Sequence, residues 1–149
     1  MKKKLIMLLL SCALVLQACS AQNLDIDPKE LAVSLRETVA FQDELSLVDE
    51  DMAEKLYGID NFTEAYVYVG SGATAEEIAV FEFDSLDETE KAAGKARERI
   101  DQQKEDFASY IPEETARLDN AVIKQAGNYL VVCVSGGGSA HEVIEEYLG

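Results

Sequence analysis

The chain has 149 residues, a formal net charge of −16 at pH 7 and a hydrophobic fraction of 48%. Three of the 13 basic residues and none of the 29 acidic ones lie in positions 1–18, so the remaining 131 residues carry 10 − 29 = −19 charges. This acidity argues against binding nucleic acid and against lying flat on anionic lipid, because both surfaces are negative. The length suits one domain with one core.

The amino terminus has the pattern of a secretory signal. Lysines occupy positions 2–4, and an apolar run follows over residues 5–16. The run is too short for a transmembrane helix, which needs roughly 20 apolar residues. The pattern therefore predicts a targeting segment over residues 1–18 that is removed from the mature protein.

The residues at the end of this segment, Leu16-Gln17-Ala18-Cys19, resemble the lipobox of bacterial lipoproteins. The resemblance implies cleavage between Ala18 and Cys19 and a diacylglycerol thioether on Cys19, with N-acylation as a further modification. Two acyl chains hold a protein on a membrane, whereas one chain binds only marginally. We therefore expect an extracytoplasmic protein that is anchored to the cell membrane through Cys19. The alternative is an ordinary secretory signal in which Cys19 is a stray thiol.

The three cysteines exclude a disulfide framework. Cys12 leaves with the signal, Cys19 takes the lipid, and Cys133 then has no partner. Residues 19–27 contain the lipidated end and a short polar tether, which spans roughly 20 Å when extended. The globular domain is predicted over residues 28–149.

Helical signals come first in the domain. Asp27 followed by Pro28 is typical of a helix start, and the pattern predicts a helix from 28 to about 40. A second helix is predicted over 50–57, with Asp49 as its N-cap and Gly58 as its left-handed end.

The apolar period then changes from helical to alternating. Strands are predicted over 63–69 and 77–83, followed by a long helix that Ser85 caps and Pro112 ends. Its apolar stripe is formed by Ala93, Ala96, Ile100, Gln103, Phe107 and Tyr110.

The last part of the chain repeats the strand pattern. Strands are predicted over 121–125 and 129–135 around a Gly127-Asn128 turn, and the second strand is apolar on both faces, which predicts a central position with Cys133 buried. Residues 139–142 have the pattern of a capping box for a terminal helix. The order predicts the α+β class: an antiparallel sheet of about four strands, made of two hairpins joined by a long helix, packed with helices and preceded by two N-terminal helices.

Five short motifs in this order are similar to those of the DUF4358 family, which comprises small bacterial lipoproteins of unassigned function. They are Leu56-Tyr57-Gly58-Ile59, residues 75–81, residues 99–103, Tyr110-Ile111-Pro112 and Leu118-Asp119-Asn120-Ala121. The similarity covers about residues 28–148. It implies one lipoprotein domain and supplies no catalytic residue, ligand or partner.

Signals for catalysis and cofactors are weak. His141 is the only histidine and has no nucleophile motif beside it. The run 136–138 lacks the lysine of a phosphate-binding loop, and 49–51 lacks the ligand spacing of a calcium loop. Glu76 and Glu77 are adjacent on a strand and should point to opposite faces, which disfavours a shared acid–base site. We expect no enzymatic activity, no cofactor and no metal ion.

Two hypotheses on function are left. In the first, the domain is an interaction or accessory module for an envelope protein, and Tyr66 and Tyr68 form the candidate surface because aromatic residues are enriched at interfaces. The alternative for these two tyrosines is that a helix covers them. In the second, the domain binds a small ligand in an apolar pocket. The first is preferred because one compact domain has little room for a two-lobed cleft.

Overall fold

The computed structural model describes residues 24–149, and its central feature is an antiparallel sheet of five strands. The elements in chain order are α1 (Pro28–Thr38), β1 (Ser46–Leu47), α2 (Glu50–Tyr57), β2 (Phe62–Val69), β3 (Glu77–Phe83), α3 (Leu86–Tyr110), α4 (Glu113–Asp119), β4 (Val122–Ala126), β5 (Tyr129–Val134) and α5 (Ser139–Leu148). The predicted signal segment and Cys19 lie outside the described residues. The α+β class is confirmed.

The strand order is β1-β2-β3-β5-β4, and every neighbouring pair is antiparallel. Helices cover both faces. Residues of α2, α3 and α4 form one hydrophobic cluster with the sheet, and residues of α1 and α5 form the other. Strand β5 lies between β3 and β4 with all six residues buried, which confirms the central position that its two apolar faces predict.

The capping residues fix the first two helices as predicted. The Asp27 carboxylate accepts hydrogen bonds from the backbone N–H groups of Lys29 and Glu30, and Asp49 accepts one from Met52. Gly58 ends α2 at φ 64°, a left-handed conformation that costs glycine little because it has no Cβ.

The sheet has one strand more than predicted, and α4 was not predicted. Strand β1 has only two residues, too few to show an alternating pattern, and it pairs with Tyr68 and Val69 of β2. Helix α4 has seven residues and follows Pro112, which serves as its N-cap without a side-chain hydrogen bond. The predicted number of strands is therefore wrong, but the predicted antiparallel pairing is right.

The predicted capping box at residues 139–142 is also wrong. Ser139 is the first residue of α5, and Gly138 is the N-cap without a side-chain hydrogen bond. Gly138 has helical dihedral angles of φ −83° and ψ −7°. A residue that caps a helix through its side chain normally has an extended backbone and stands just before the first helical residue. Ser139 is already the first residue of α5, so it does not act as the cap.

The start of the described chain lies at one end of the sheet. Leu24 and Ile26, which the sequence assigns to the tether, pack against the cluster of α1 and α5. The Ile26 N–H donates to the Tyr129 hydroxyl at 3.4 Å. We call this end, where β3 and β2 meet at Phe83 and Phe62, the near end; the opposite end, at Glu77 and Val69, is the far end.

None of the helices within residues 24–149 is both long enough and apolar enough to cross a membrane.

Candidate functional site

The far end of the sheet holds two buried carboxylates at successive positions. Glu76 and Glu77 are each 2% exposed. They contact different partners: Glu76 lies in the loop just before β3, and Glu77 is the first residue of β3. Because buried carboxylates are stable only when they are paired and hydrogen-bonded, the identity of these partners defines what the far end can do.

Glu77 forms a closed unit with Arg99 of α3 and Tyr57 of α2. Arg99 Nη2 lies 2.6 Å from Glu77 Oε2 and its Nε lies 3.1 Å from Oε1, while the Tyr57 hydroxyl donates to Glu77 Oε1. The guanidinium also lies 4.9 Å from the centre of the Tyr57 ring. Burial, followed by the charge of Glu77, raises the pKa of Tyr57 well above its ordinary value, so the phenol stays protonated.

Burial opposes the charge of Arg99, but hydrogen bonds and attraction from Glu77 outweigh it and raise the pKa of this guanidinium. Arg99 also donates to the Leu56 carbonyl at 3.1 Å. The unit therefore ties α2, β3 and α3 together. Its carboxylate has almost no exposed surface and is engaged by both partners.

Glu76 connects the loop after α1 to the far end. It accepts hydrogen bonds from the backbone N–H groups of Gln42 and Asp43, both at 2.8 Å. Arg117 Nη1 lies 3.2 Å from Glu76 and 3.1 Å from Glu114. One arginine thus faces two buried carboxylates, which leaves this cluster with an excess of negative charge.

The loop between β2 and β3 is held from two sides. Glu114 accepts a hydrogen bond from the Ala75 N–H at 2.8 Å. Asp43 Oδ2 accepts from both the N–H and the hydroxyl of Ser71 at 2.7 Å, and these bonds lower the pKa of Asp43. The loop is consequently fixed although it is rich in glycine.

A groove of about 350 Å³ runs between this loop and the C-terminal half of α3. We call it the α3 groove. Its walls include Leu56, Val69, Gly70, Ser71, Gly72, Thr74, Arg99, Gln103, Asp106, Phe107 and Tyr110. The volume lies within the range of about 300–1,000 Å³ that is usual for binding pockets.

Two features of the α3 groove are unusual for a purely structural surface. The side-chain oxygen of Gln103 is buried and has no hydrogen-bond partner among the described residues. The rings of Phe107 and Tyr110 are stacked with centroids 5.0 Å apart, and Tyr110 is 59% exposed. A binding partner in the groove would cover the exposed ring of Tyr110, whereas the Gln103 oxygen lies beneath the surface and is out of its reach.

A second far-end cavity, of about 550 Å³, lies beside the glycine run 136–138 and includes Arg117 and His141. His141 is exposed at the start of α5, and its Nδ1 lies 4.0 Å from Glu145. Arg117 is already engaged with Glu76 and Glu114. An anion would therefore face excess negative charge, which disfavours a phosphate site here.

The structure corrects the predicted tyrosine surface. Tyr68 is 5% exposed and packs within the cluster of α1 and α5, with the Arg36 guanidinium 5.3 Å from its ring centre. Tyr66 is half-buried, and its hydroxyl donates to Glu64 at 3.2 Å. The two side chains share a face of β2 as expected, but α1 covers Tyr68, so the pair does not form an exposed aromatic surface.

Cys133 is buried in β5, as predicted. Burial raises the pKa of its thiol to about 12. Because the thiolate is the reactive form, this side chain is unsuited to nucleophilic chemistry in the folded domain. Within residues 24–149, no cluster of three or more histidine, cysteine or carboxylate side chains has the arrangement of a metal site.

The sequence analysis did not identify Arg99, Gln103 or Arg117 as residues of a site. Gln103 and Tyr110 were on the predicted stripe of α3, and a polar residue within an apolar stripe was the available signal. Arg117 gave no signal because α4 was not predicted.

Comparison with known proteins gives a family and no close relative. No curated protein matches the chain, and no solved structure does. The family model for a domain of unknown function, DUF4358, matches residues 37–135, about two thirds of the chain. The match includes the buried Glu76, Glu77 and Glu114 and the whole α3 groove. The chain therefore belongs to the DUF4358 family, as the order of its short motifs predicts.

Proposed function

We propose that the protein is a lipoprotein of the bacterial cell envelope, anchored outside the cytoplasm through Cys19, and that it acts as a non-catalytic module that binds an envelope protein with its far end. The observation that carries this proposal is that the chain enters the domain at the near end, where Ile26 contacts Tyr129. The α3 groove and the cavity beside the glycine run 136–138 lie at the other end.

The distances support an outward-facing far end. Five residue steps separate Cys19 from Leu24, which packs on the domain, so the connection reaches about 17 Å when fully extended. The length of strand β3 places the far end about 20 Å from the near end. A lipid on Cys19 would keep the near end close to the bilayer and leave the far end free to meet a partner.

The state of the ionisable groups supports a role without catalysis. Glu77 and Arg99 neutralise each other, and the Cys133 thiol is buried. His141 is exposed, with Glu145 as its nearest acidic partner. The far end is built to hold its loops in place, which suits recognition of a partner.

A small-ligand role is the second candidate, and the volume of the α3 groove favours it. Such a ligand would be enclosed by Leu56, Gly70 and Phe107. The exposure of Tyr110 favours the protein partner, because exposed aromatic residues often become central contacts of interfaces.

Site-specific photocrosslinking in intact cells tests the proposal. A photoreactive amino acid would replace Tyr110 or His141 at the far end, or Asp84, an exposed residue at the near end, as the matched control. We expect at least one far-end position to capture an envelope protein and the Asp84 position to capture none. Capture from Asp84 alone would contradict the proposed orientation.

A further inference from the structure

The outer edge of strand β4 is a site for another strand. We infer that it binds an extended segment of a second protein, which extends the sheet in antiparallel pairing and places an apolar and an acidic side chain beside α3. This surface runs along the side of the domain, so the inference goes beyond the far-end site proposed above. Three observations lead to this occupant: unpaired backbone groups on β4, a pocket beside them, and an arginine without an acidic partner.

Strand β4 has a neighbouring strand on one side alone. It ends the strand order β1-β2-β3-β5-β4 and pairs with β5. All six residues of β5 are buried, whereas each residue of β4 is half-buried or exposed. The outer edge of β4 is therefore accessible to a partner.

The register of the β4–β5 hairpin shows which backbone groups face outward. Ala126 pairs with Tyr129 across a two-residue turn, so it exchanges hydrogen bonds with β5, and Lys124 does the same two positions away. The N–H and C=O groups of Ile123 and Gln125 consequently point away from β5, and within the described chain they have no backbone partner. Such unpaired groups are a template for another strand.

The other open edge of the sheet is less suited to pairing. Part of β2 extends beyond β1, and Ala65 faces outward there, but the register shifts between Phe62 and Glu64. A bulge disrupts an edge, and the register of β4 has none. A lysine on an edge can also repel a new strand, yet Lys124 Nζ lies 2.8 Å from Glu145 of α5 and is neutralised there.

A pocket of about 330 Å³ lies between α3 and β4. We call it the α3–β4 pocket. Its apolar lining is formed by Ile100, Leu118, Ala121 and Ile123. Residues opposite each other in paired strands have their side chains on the same face, so the partner residue opposite Ile123 would reach this pocket. The lining selects an apolar side chain at that position.

The charged residues of the α3–β4 pocket favour an acidic side chain close by. Lys104 lies 3.1 Å from Asp119 and 3.7 Å from Asp101, so it is already paired. Arg97 is exposed and forms no ion pair within the part of the chain that the structure describes. A carboxylate on the added strand would pair with it. A second copy of the chain is a poorer occupant, because each domain carries 29 acidic residues against 10 basic ones over positions 24–149.

Residue-resolved amide hydrogen exchange of the full-length protein in detergent micelles tests the inference. The probe is a short blocked threonine peptide with valine at its centre and aspartate two positions away on each side. We expect saturating peptide to slow exchange at Ile123 and Gln125 by about tenfold or more, because their N–H groups gain partners, and to leave Ala65 unchanged. Unchanged exchange at Ile123 and Gln125, or equal slowing at Ala65, would overturn the inference.

Two matched peptides separate backbone pairing from side-chain contacts. N-methyl groups on the valine and aspartate amides remove the donors that would face β4, and we expect them to abolish the slowing. Lysine in place of aspartate should weaken binding several-fold because it faces Arg97. Equal slowing by the N-methylated peptide would show that the probe does not extend the sheet, and binding of the lysine peptide at least as tight would overturn the acidic occupant.

Variants locate the binding to β4. Gln125→Pro removes an outward N–H without breaking a bond to β5, a change that edge strands tolerate, and we expect it to abolish binding. The matched control is Ala65→Pro on the open edge of β2, which should bind like the wild type. Arg97→Gln should weaken binding several-fold, whereas Lys91→Gln, which removes an exposed cation of α3 outside the pocket, should not. If the control variants lose as much binding, the peptide binds elsewhere and the inference fails.

Two further outcomes are decisive. If Gln125→Pro does not fold, the N-methylated peptide tests the same contact in the wild type. If exchange at Ile123 and Gln125 slows with rising protein concentration in the absence of peptide, a second copy occupies the edge, and the inference is overturned.

Discussion

Arg99 and Glu77 form two parallel hydrogen bonds, with Arg99 Nη2 2.6 Å from Oε2 and Nε 3.1 Å from Oε1. The pair joins the middle of α3 to the first residue of β3, and the Tyr57 ring covers the guanidinium. Bidentate arginine–carboxylate pairs combine strength with a fixed geometry. This pair therefore sets the position of α3, whose next turns form the wall of the α3 groove.

We expect Glu77→Gln to lower the free energy of unfolding by about 3 kcal/mol, because it leaves the charge of Arg99 largely buried without a counterion. Urea unfolding of the wild type and the variant measures the difference. The matched control is Asp87→Asn, which removes an exposed pair with Lys91 on the same helix and should change stability little.

A double variant separates lost pairing from lost packing. Glu77→Gln combined with Arg99→Met removes both charges and should recover part of the stability that the single variant loses. A double variant that is less stable than the sum of both single changes would contradict this account of the pair.

Asp43 should control the mobility of the loop between β2 and β3. Asp43→Asn weakens the two hydrogen bonds from Ser71, and we expect faster amide hydrogen exchange at residues 70–72 with little change in β5. Gly70→Ala should have the same effect, because an added Cβ would lie 2.6 Å from Asp43 Oδ2. Unchanged exchange in both variants would show that other contacts hold the loop.

The same loop should loosen in acid. The bonds from Ser71 lower the pKa of Asp43 below its ordinary value of 3.8. Their contribution is therefore present above that value and is lost as the pH falls through the lower pKa of the folded state. Asp43→Asn should remove this pH dependence from the loop while the rest of the domain titrates as in the wild type.

The sequence predicts those features of the fold whose physical cause lies within a few neighbouring residues. The caps at Asp27 and Asp49 and the left-handed Gly58 act within one helical turn, so the predicted helices begin or end at these residues. The alternating pattern of β2 correctly places Val67 and Tyr68 on opposite faces of the sheet, in different hydrophobic clusters. The burial of Glu76 and Glu77 was not predictable in this way, because charged residues are normally exposed and their arginine partners lie on distant helices.

The candidate surface at Tyr66 and Tyr68 failed for a similar reason. Strand alternation places both residues on one face, but it does not say which helix covers that face. Helix α1 lies over β2 and β3, so it buries Tyr68. The α3 groove was not predictable for the same reason. It forms where the C-terminal half of α3 packs beside the loop between β2 and β3, which is distant in sequence.

Cys133 should make the domain less stable at alkaline pH. Burial raises the pKa of its thiol to about 12 in the folded protein, against an ordinary value of 9.0. The unfolded chain therefore loses the thiol proton first as the pH rises, and stability falls between these two values. From about pH 8 to about pH 10, the loss from this group amounts to about 1 kcal/mol.

The variant Cys133→Ala isolates this effect. It should be less stable than the wild type at about pH 8 because it leaves a cavity, but it should lose less further stability on going to about pH 10. Urea unfolding at both pH values measures the two losses. If the wild type and Cys133→Ala lose the same stability between the two pH values, the thiol has the same pKa in the folded and unfolded states.

The lipid anchor yields the last prediction. Cys19→Ser removes the sulfur that would carry diacylglycerol, and we expect it to abolish incorporation of labelled fatty acid and to leave the signal segment unprocessed at Ala18. The matched control is Cys12→Ser, which changes another cysteine of the same segment, outside the motif that resembles a lipobox. It should be lipidated and processed normally. A Cys19→Ser protein that still carries label would show that the anchor is elsewhere, and the far end would then lose its assigned direction relative to the membrane.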